Sequence, residues 1–160
     1  MRSFFLALAA LSTAACAERP AATPGTPGGA APDIRQTTFA PALGVDLAAM
    51  QQTPRGVWIR DLTVGTGDSA VAGRQVAIHY TGTFTDGKQF DANGPADAPF
   101  EFRLAAGEVV PGFDEGVAGM RVGGRRQVVI PPSLGYGAQA NGPIPANSIL
   151  VFVIELVSVR

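Results

Sequence analysis

The sequence is poor in the side chains that build metal and thiol chemistry. It holds one cysteine, Cys16, and one histidine, His79. A single cysteine cannot form a disulfide within the chain, and a zinc site of Cys and His needs about four such ligands. The sequence also lacks an excess of charge of either sign, because 12 Lys and Arg balance 13 Asp and Glu. This balance gives no indication of the basic surface typical of nucleic-acid binding or of a polybasic membrane patch.

A long apolar run near the start is missing as well. The run at 4–11 is shorter than the stretch of about 20 residues that crosses a bilayer. It follows the positive charge of Arg2 and precedes the small residues 12–15. This order is typical of an export signal. We therefore predict that residues 1–15 are a signal peptide.

Cys16 directly follows these small residues. Its position is similar to that of the lipidated cysteine of bacterial lipoproteins, although Thr13 stands where those proteins usually carry Leu. Ordinary cleavage after Ala15 or Ala17 is the alternative. The interpretation that we adopt is lipidation of Cys16, which would make this lipid the chain's sole link to a membrane. It predicts an exported, periplasmic protein anchored to a bacterial membrane.

Composition divides the rest of the chain into three parts. Residues 16–33 are rich in Ala, Pro and Gly, which predicts a tether without a core of its own. Residues 34–54 carry more apolar side chains and form an N-terminal extension, with a short helix near 45–51 as one option. The extension could pack on the main domain or pair with a second copy, so monomer and dimer both stay open. Residues 55–160 are numerous enough to bury a core.

Apolar and polar side chains alternate from residue 55 onward, which is typical of half-buried strands. One short helix is predicted at 113–120, where Phe113, Val117 and Met120 share a face. Together these elements predict an α+β domain, an antiparallel sheet with one helix laid across it. The predicted strands lie near 57–62, 74–83, 100–104, 126–130 and 148–159.

Two features could indicate a functional site, but their sequence context does not support one. The glycine-rich stretch 65–70 fits a dinucleotide-binding pattern, but a strand rather than a helix follows it. We interpret this stretch as a hairpin loop. His79 alternates with Tyr80 in the predicted strand, and we interpret it as a structural side chain rather than a base. The remaining candidates are aromatic, and periodicity alone would place each of them in the core.

Several long motifs resemble the FKBP family of peptidyl-prolyl cis-trans isomerases. They occur in the family's order and at nearly its spacing, and they cover most of residues 55–160. The resemblance implies an FKBP-like antiparallel five- to six-stranded sheet wrapped around one short helix, with a pocket between the two. The motifs are VAIHYTGTFTDGKQFD (76–91), PFEFRL (99–104), VVPGFDEGVAGMRVGGRRQVVIPPSLGYGA (109–138) and IPANSILVFVIEL (144–156).

The resemblance also implies the residues of the site. Those expected to act in catalysis are Tyr80, Asp91, Tyr136 and Phe152. Those expected to contact substrate are Phe90, Phe100, Val109, Val110, Phe113 and Ile144. In this pattern a backbone N–H of the valine pair contacts a substrate carbonyl, and Phe113 forms the pocket floor.

Three positions depart from the family's pattern. Phe113 stands where Trp is common, and Ala96 stands where many members carry a basic residue. Without that residue Asp91 is expected to lack an ion-pair partner. The loop between Tyr136 and Phe152 is about one residue shorter than in familiar small members, which leaves the exact rim residues within 139–146 open.

The resemblance implies a peptidyl-prolyl cis-trans isomerase that acts on proline-containing unfolded polypeptides among exported proteins. It implies no cofactor, and it makes FK506-like macrocycles candidate ligands. The alternative is a proline-peptide binding module or chaperone with little turnover. A site without an acid–base pair or a nucleophile is expected here, because rotation about an amide bond breaks no covalent bond.

Overall fold

A computed structural model describes residues 31–160. The predicted signal peptide, Cys16 and most of the predicted tether therefore lie outside the described residues. Within them, no helix is long and apolar enough to cross a membrane. The regular elements are β1 (Gln51–Gln52), β2 (Trp58–Thr63), β3 (Gln75–Thr83), β4 (Gln89–Asn93), β5 (Phe100–Arg103), α1 (Pro111–Val117), β6 (Arg125–Ile130) and β7 (Leu150–Val159).

The strands form one antiparallel sheet in the order β1-β2-β6-β7-β3-β4, with β5 also paired to β3. Both β4 and β5 pair with β3. Strand β5 pairs with the first half of β3, and β4 pairs with the second half of β3. The predicted α+β class and FKBP-like antiparallel sheet are thereby confirmed. The sheet has seven strands in the described part of the chain, because the short β1 joins it and β4 forms separately from β5.

One face of the sheet carries the main core, and α1 lies against it. Alternate residues of the long strands point into this core, as the periodicity predicted. Examples are Val76 and Ile78 of β3, Val128 and Ile130 of β6, and Leu150, Phe152, Ile154 and Leu156 of β7, all of them buried.

Helix α1 begins with Pro111, whose fixed φ suits a first helical position. Gly112 and Gly116 lie one turn apart on the side that meets β6. A Cβ atom at Gly116 would stand 2.7 Å from Cγ1 of Val128, so the missing side chain lets the helix lie close to the sheet. The helix ends at Val117, which is earlier than the predicted end at Met120.

A buried arginine fastens the end of α1 to the sheet. Arg126 of β6 donates to the carbonyl oxygens of Gly116 and Ala118, each at 3.0 Å. Its guanidinium also pairs with both carboxylate oxygens of Asp61 on β2, at 2.6 and 3.2 Å. A cation at a helix C-terminus is favourable because the helix dipole is negative there.

The glycine-rich stretch at 65–70 is not a hairpin loop, contrary to the sequence-based interpretation. It connects β2 to β3, which are not neighbours in the sheet. Gly67 lies against Val122, where an added Cβ would come within 2.8 Å of that side chain's Cβ. An added Cβ at Gly65 would come closer still to the backbone of residues 121–124. Close packing of two backbone segments explains these glycines.

The second face of the sheet is covered by the N-terminal arm, which we define as residues 34–52. In place of the α-helix considered near 45–51, it forms a 3-10 turn at Leu47–Ala49 followed by β1. Its buried Ile34 and Met50 pack in one cluster with Val129, Ile149 and Val151. The arm therefore packs on the sheet of its own chain.

Two hydrogen bonds anchor the middle of the arm. The buried Gln127 side chain on β6 donates through Nε2 to the carbonyl oxygen of Leu43 at 2.7 Å. The backbone N–H of Ala40 donates to the carbonyl oxygen of Thr85 at 2.8 Å. The second bond joins the arm to the turn between β3 and β4.

Candidate active site

A cavity of about 720 Å³ opens between α1 and the sheet. Every residue that the sequence analysis placed in the pocket lines it: Tyr80, Phe90, Asp91, Phe100, Val109, Val110, Phe113, Tyr136, Ile144 and Phe152. They come from four strands, from α1 and the loop that precedes it, and from the segment between β6 and β7. The structure thus brings all of them together, while their individual roles remain predictions.

Aromatic rings form the base of the cavity. Phe113 of α1 and Phe152 of β7 meet edge to face, with ring centroids 5.0 Å apart and planes at 83°. The Tyr80 ring stands edge-on to both, at 5.8 Å from Phe113 and 6.2 Å from Phe152. Phe90 of β4 meets Phe152 at 5.6 Å. Such edge-to-face contacts fix ring orientations, so the base of the cavity is a rigid apolar surface.

Strand register explains how rings from β4 and β7 can meet. Gly82 of β3 pairs with Asp91 on one side and with Phe152 on the other. The space above Gly82 is filled by the Phe90 and Phe152 rings, and an added Cβ would stand 2.7 Å from an atom of each. Sequence reasoning missed Gly82. A glycine inside a predicted strand was the available signal.

A hydrogen bond joins the tyrosine of β3 to the carboxylate of β4. The Tyr80 hydroxyl donates to Oδ2 of Asp91 at 2.7 Å. Burial, and then the hydrogen bond and negative charge of Asp91, raise the pKa of Tyr80 well above its usual range. Tyr80 therefore stays protonated and keeps donating to Asp91. Among residues 31–160, no Lys, Arg or His side chain comes within 4.0 Å of this carboxylate.

Some polar hydrogens of the lining remain for a ligand, among them the Val110 N–H and the Tyr136 hydroxyl. Val110 is the N-cap of α1, where backbone N–H groups have no partner inside the helix. Its N–H donates to no acceptor in the described part of the chain. The Tyr136 hydroxyl makes no hydrogen bond to the described residues either, and the side chain is 37% exposed.

Four lining residues were missed by sequence reasoning: Glu108, Asn141, Gly142 and Pro143. The last three form a tight turn in which Asn141 and Ile144 exchange two backbone hydrogen bonds of 2.9 Å. Gly142 adopts a left-handed φ of 55° there. The Asn-Gly pair signals such a turn, and the turn brings Ile144 to the cavity. No sequence signal identified Glu108.

His79 lies away from this cavity. Its Nδ1 is 2.9 Å from Oδ1 of Asn93, the residue of β4 that pairs with Tyr80. His79 alternates with Tyr80 along β3, so the two side chains point to opposite faces. This position agrees with the interpretation of His79 as a structural side chain.

The cavity is suited to binding and orienting rather than to covalent chemistry. Its lining contains no Ser, Cys, Lys or His. Within residues 31–160 no group of three or more His, Cys, Asp or Glu is placed to hold a metal ion. The site combines a flat apolar base, free donors that include the Val110 N–H and the Tyr136 hydroxyl, and the carboxylates of Asp91 and Glu108.

Comparison with known proteins agrees with this geometry. The family model described as "FKBP-type peptidyl-prolyl cis-trans isomerase" matches residues 67–157. "FK506-binding protein 3" of Candida albicans is 50% identical over 105 residues, covering 66% of this chain and 24% of that protein. "Peptidyl-prolyl cis-trans isomerase" of Saccharomyces cerevisiae is 48% identical over 105 residues, covering 66% of this chain and 25% of that protein. The chain therefore spans about a quarter of the length of these curated relatives.

Solved structures are similar over a comparable region. FkpA from Escherichia coli superposes with a TM-score of 0.65 at 36% identity, covering 70% of this chain and 52% of that one. AtFKBP13 superposes with a TM-score of 0.65 at 35% identity, covering 69% of this chain and 98% of that one.

Proposed function

The chain belongs to the FKBP-type peptidyl-prolyl cis-trans isomerase family, and we propose that it accelerates the isomerisation of X–Pro bonds in unfolded polypeptides. The observation that carries this proposal is the rigid aromatic base made by Tyr80, Phe113 and Phe152, with the free Val110 N–H at its edge. That arrangement suits a proline ring and the carbonyl beside it.

The chemistry requires no nucleophile. Amide resonance sets a barrier of about 18–20 kcal/mol to rotation, and unaided X–Pro bonds isomerise in tens to hundreds of seconds. The twisted amide has lost the charge separation of the planar one, so an apolar cavity disfavours the planar ground state relative to it. Phe113 and Phe152 would hold the proline ring, which leaves the preceding carbonyl free to turn.

Fixed donors would hold the flanking chain in place while the amide turns. The Val110 N–H and the Tyr136 hydroxyl are the candidates, because neither is used within residues 31–160. Asp91 accepts from Tyr80 and keeps that ring oriented, which makes a positioning role more suitable for it than that of a general base.

The test is refolding of a protein whose slow phase is limited by prolyl isomerisation. We expect the full chain to accelerate that phase and Phe152→Ala to lower kcat/KM about ten-fold or more, equivalent to about 1.4 kcal/mol of transition-state binding. Phe39→Ala is the matched control. Phe39 packs against the cluster under the arm, by which we mean Ile34, Met50, Val129, Ile149 and Val151. Circular dichroism must show both variants folded, since truncating a buried Phe costs about 3–5 kcal/mol.

Two results would contradict this assignment. Equal losses in Phe152→Ala and Phe39→Ala would reject our map of the site. Binding of proline peptides by a folded chain that accelerates nothing would favour the alternative, a proline-binding module or chaperone with little turnover.

We further propose that the chain is exported and carries a lipid on Cys16, which would place it in the periplasm of a bacterium and direct it to exported clients. The sequence pattern at 1–16 supports this proposal. Mass spectrometry of the mature N-terminus tests it, with acylated Cys16 expected. An unmodified N-terminus at Cys16 or at Glu18 would reject the anchor.

FK506-like macrocycles are proposed ligands of the same cavity. Support comes from the names of the FK506-binding relatives and from the aromatic base that such a ligand could cover. Phe113 in place of the more common Trp keeps this base flat and apolar.

A further inference from the structure

The charged side chains at the cavity all carry one sign. Asp91 and Glu108 are its only charged lining residues, and both are acidic. No cationic side chain of the described residues lies within 4.0 Å of either carboxylate. The ion pairs nearest to them in sequence, such as Arg160 with Glu101, use residues that do not line the cavity.

Both carboxylates are held in place by the protein. Asp91 on β4 accepts from the Tyr80 hydroxyl at 2.7 Å. Glu108, in the loop that leads into α1, accepts the backbone N–H of Arg103 at 3.0 Å. These bonds fix each side chain but leave its net negative charge uncompensated. The edge of the cavity thus has a negative potential that a ligand meets on entry.

Resting on the proposed function, we propose that this site is selective for the charge of the residue X before proline. It isomerises Lys-Pro and Arg-Pro bonds faster than matched neutral bonds, and Glu-Pro bonds more slowly. A proline seated on Phe113 and Phe152 brings the Cα of X within about 3.8 Å of its own Cα. In this pose the side chain of X would extend along the cavity lining, which includes Asp91 and Glu108.

The physical basis is Coulomb attraction at a partly solvated edge. A cation near a fixed carboxylate is favoured and an anion is disfavoured, both in the bound state and during the approach. Exposed ion pairs contribute about 0.2–1 kcal/mol each, so we expect kcat/KM to change about 1.4- to five-fold for each charge change.

Peptides of matched shape isolate this effect. The full chain is assayed with Ala-X-Pro-Phe peptides, comparing Lys with Met and Glu with Gln at low ionic strength, where screening is weak. Each catalysed rate is corrected for the uncatalysed rate of the same peptide. We expect the Lys/Met ratio above one and the Glu/Gln ratio below one. Both ratios should approach one at about 1 M salt, where the Debye length falls to about 3 Å.

A pair of variants assigns the selectivity to the edge of the cavity. Glu108→Gln removes the charge but keeps an oxygen that can accept the Arg103 N–H, and it should lower the Lys/Met ratio. Glu101→Gln is the control, because Glu101 on β5 pairs with Gln75 and Arg160 outside the cavity. The ratio is compared within each variant, so a general change in activity cancels.

The outcomes separate this proposal from the one on which it rests. Acceleration of the Met and Gln peptides with both charge ratios equal to one would overturn the selectivity and leave the isomerase function intact. If no peptide is accelerated, the proposed function fails. In that case the affinities of the Lys and Glu peptides, measured by NMR titration, decide the charge preference, and equal affinities would overturn it.

Discussion

Two aromatic rings of the cavity, Phe90 and Phe152, meet over a glycine. Gly82 is the second-last residue of β3, and the Phe90 and Phe152 rings occupy the space that its side chain would fill. Neither ring can move away without opening its edge-to-face contact with the other. The shape of the site therefore depends on this glycine as much as on the aromatic residues.

Gly82→Ala tests this dependence. The new methyl would stand 2.7 Å from both rings, so we expect a loss of about 1–3 kcal/mol in the free energy of unfolding, together with reduced isomerase activity. Urea unfolding and the peptide assay measure the two effects. Gly94→Ala is the matched control, because its Cβ would have 3.7 Å to the nearest atom, Oδ2 of Asp97. Equal stability of the two variants would contradict the packing described here.

Ionisation of the Tyr80 hydroxyl makes the stability of the folded chain depend on pH in the alkaline range. Because its pKa in the folded chain lies above the ordinary value of 10.0, the unfolded chain loses this proton first as pH rises. The contribution of Tyr80 to stability is complete below pH 10 and falls above it. Urea unfolding between about pH 8 and pH 11 should show a steeper fall for the wild type than for Tyr80→Phe. Parallel curves would mean that Tyr80 titrates alike in both states.

At the residue scale, the site residues could be predicted from the family motifs but not from the periodicity of apolar side chains. Phe113 and Phe152 are each 5% exposed, as any core residue would be. Alternation along a strand cannot distinguish a ring that lines a cavity from one that fills the core. Glu108 was missed because a single acidic residue in a loop has no local pattern.

Among the elements, β7 and α1 were predictable and β4 was not. Strand β7 has continuous alternation, and Pro111 marks the start of α1. Strand β4 is short and mostly exposed, and its register with β3 shifts after Gly82. An edge strand with a register shift leaves little periodic signal, because few of its side chains are buried.

The N-terminal arm was equally hard to predict, for a different reason. Its contacts are made by 3-10 turns, which lack a long repeat. Its partners, Val129, Ile149 and Val151, lie far away in the sequence on the second face of the sheet. Sequence reasoning left packing on the domain and pairing with a second copy open. The tertiary structure shows the arm on the sheet of its own chain, and pairing with a second copy stays a prediction.

Ile34→Ala tests the packing of the arm. Ile34 is 4% exposed in the cluster under the arm, so we expect a loss of about 2–5 kcal/mol in urea unfolding. Activity at a temperature where the variant is folded should be retained, because this cluster lies on the face opposite the cavity. Val64→Ala is the control, since Val64 is 72% exposed and should change stability by less than about 0.5 kcal/mol. An unchanged unfolding midpoint in Ile34→Ala would mean that the arm adds nothing to the stability of the sheet.

At the scale of the whole molecule, one sheet separates two apolar clusters. The first cluster includes Phe113 and Phe152, which line the cavity. The second is the cluster under the arm, which includes Ile34 and Met50. Strands β6 and β7 contribute to both clusters through alternate residues. Because both clusters share these strands, we expect a ligand in the cavity to raise the unfolding temperature of the whole sheet and its arm together.

FK506 provides this test. A ligand that binds only the folded chain stabilises it by about 2.7 kcal/mol at a free concentration one hundred times its Kd, which corresponds to roughly 10 °C in Tm for a domain of this size. Scanning calorimetry should show one transition moving upward as FK506 is added. The shift should persist in Ile34→Ala, whose change lies across the sheet, and disappear in Phe152→Ala. A wild-type Tm that stays constant up to the solubility limit would reject macrocycle binding in this cavity. A second transition that does not move would show that the arm and its cluster unfold separately from the core around α1.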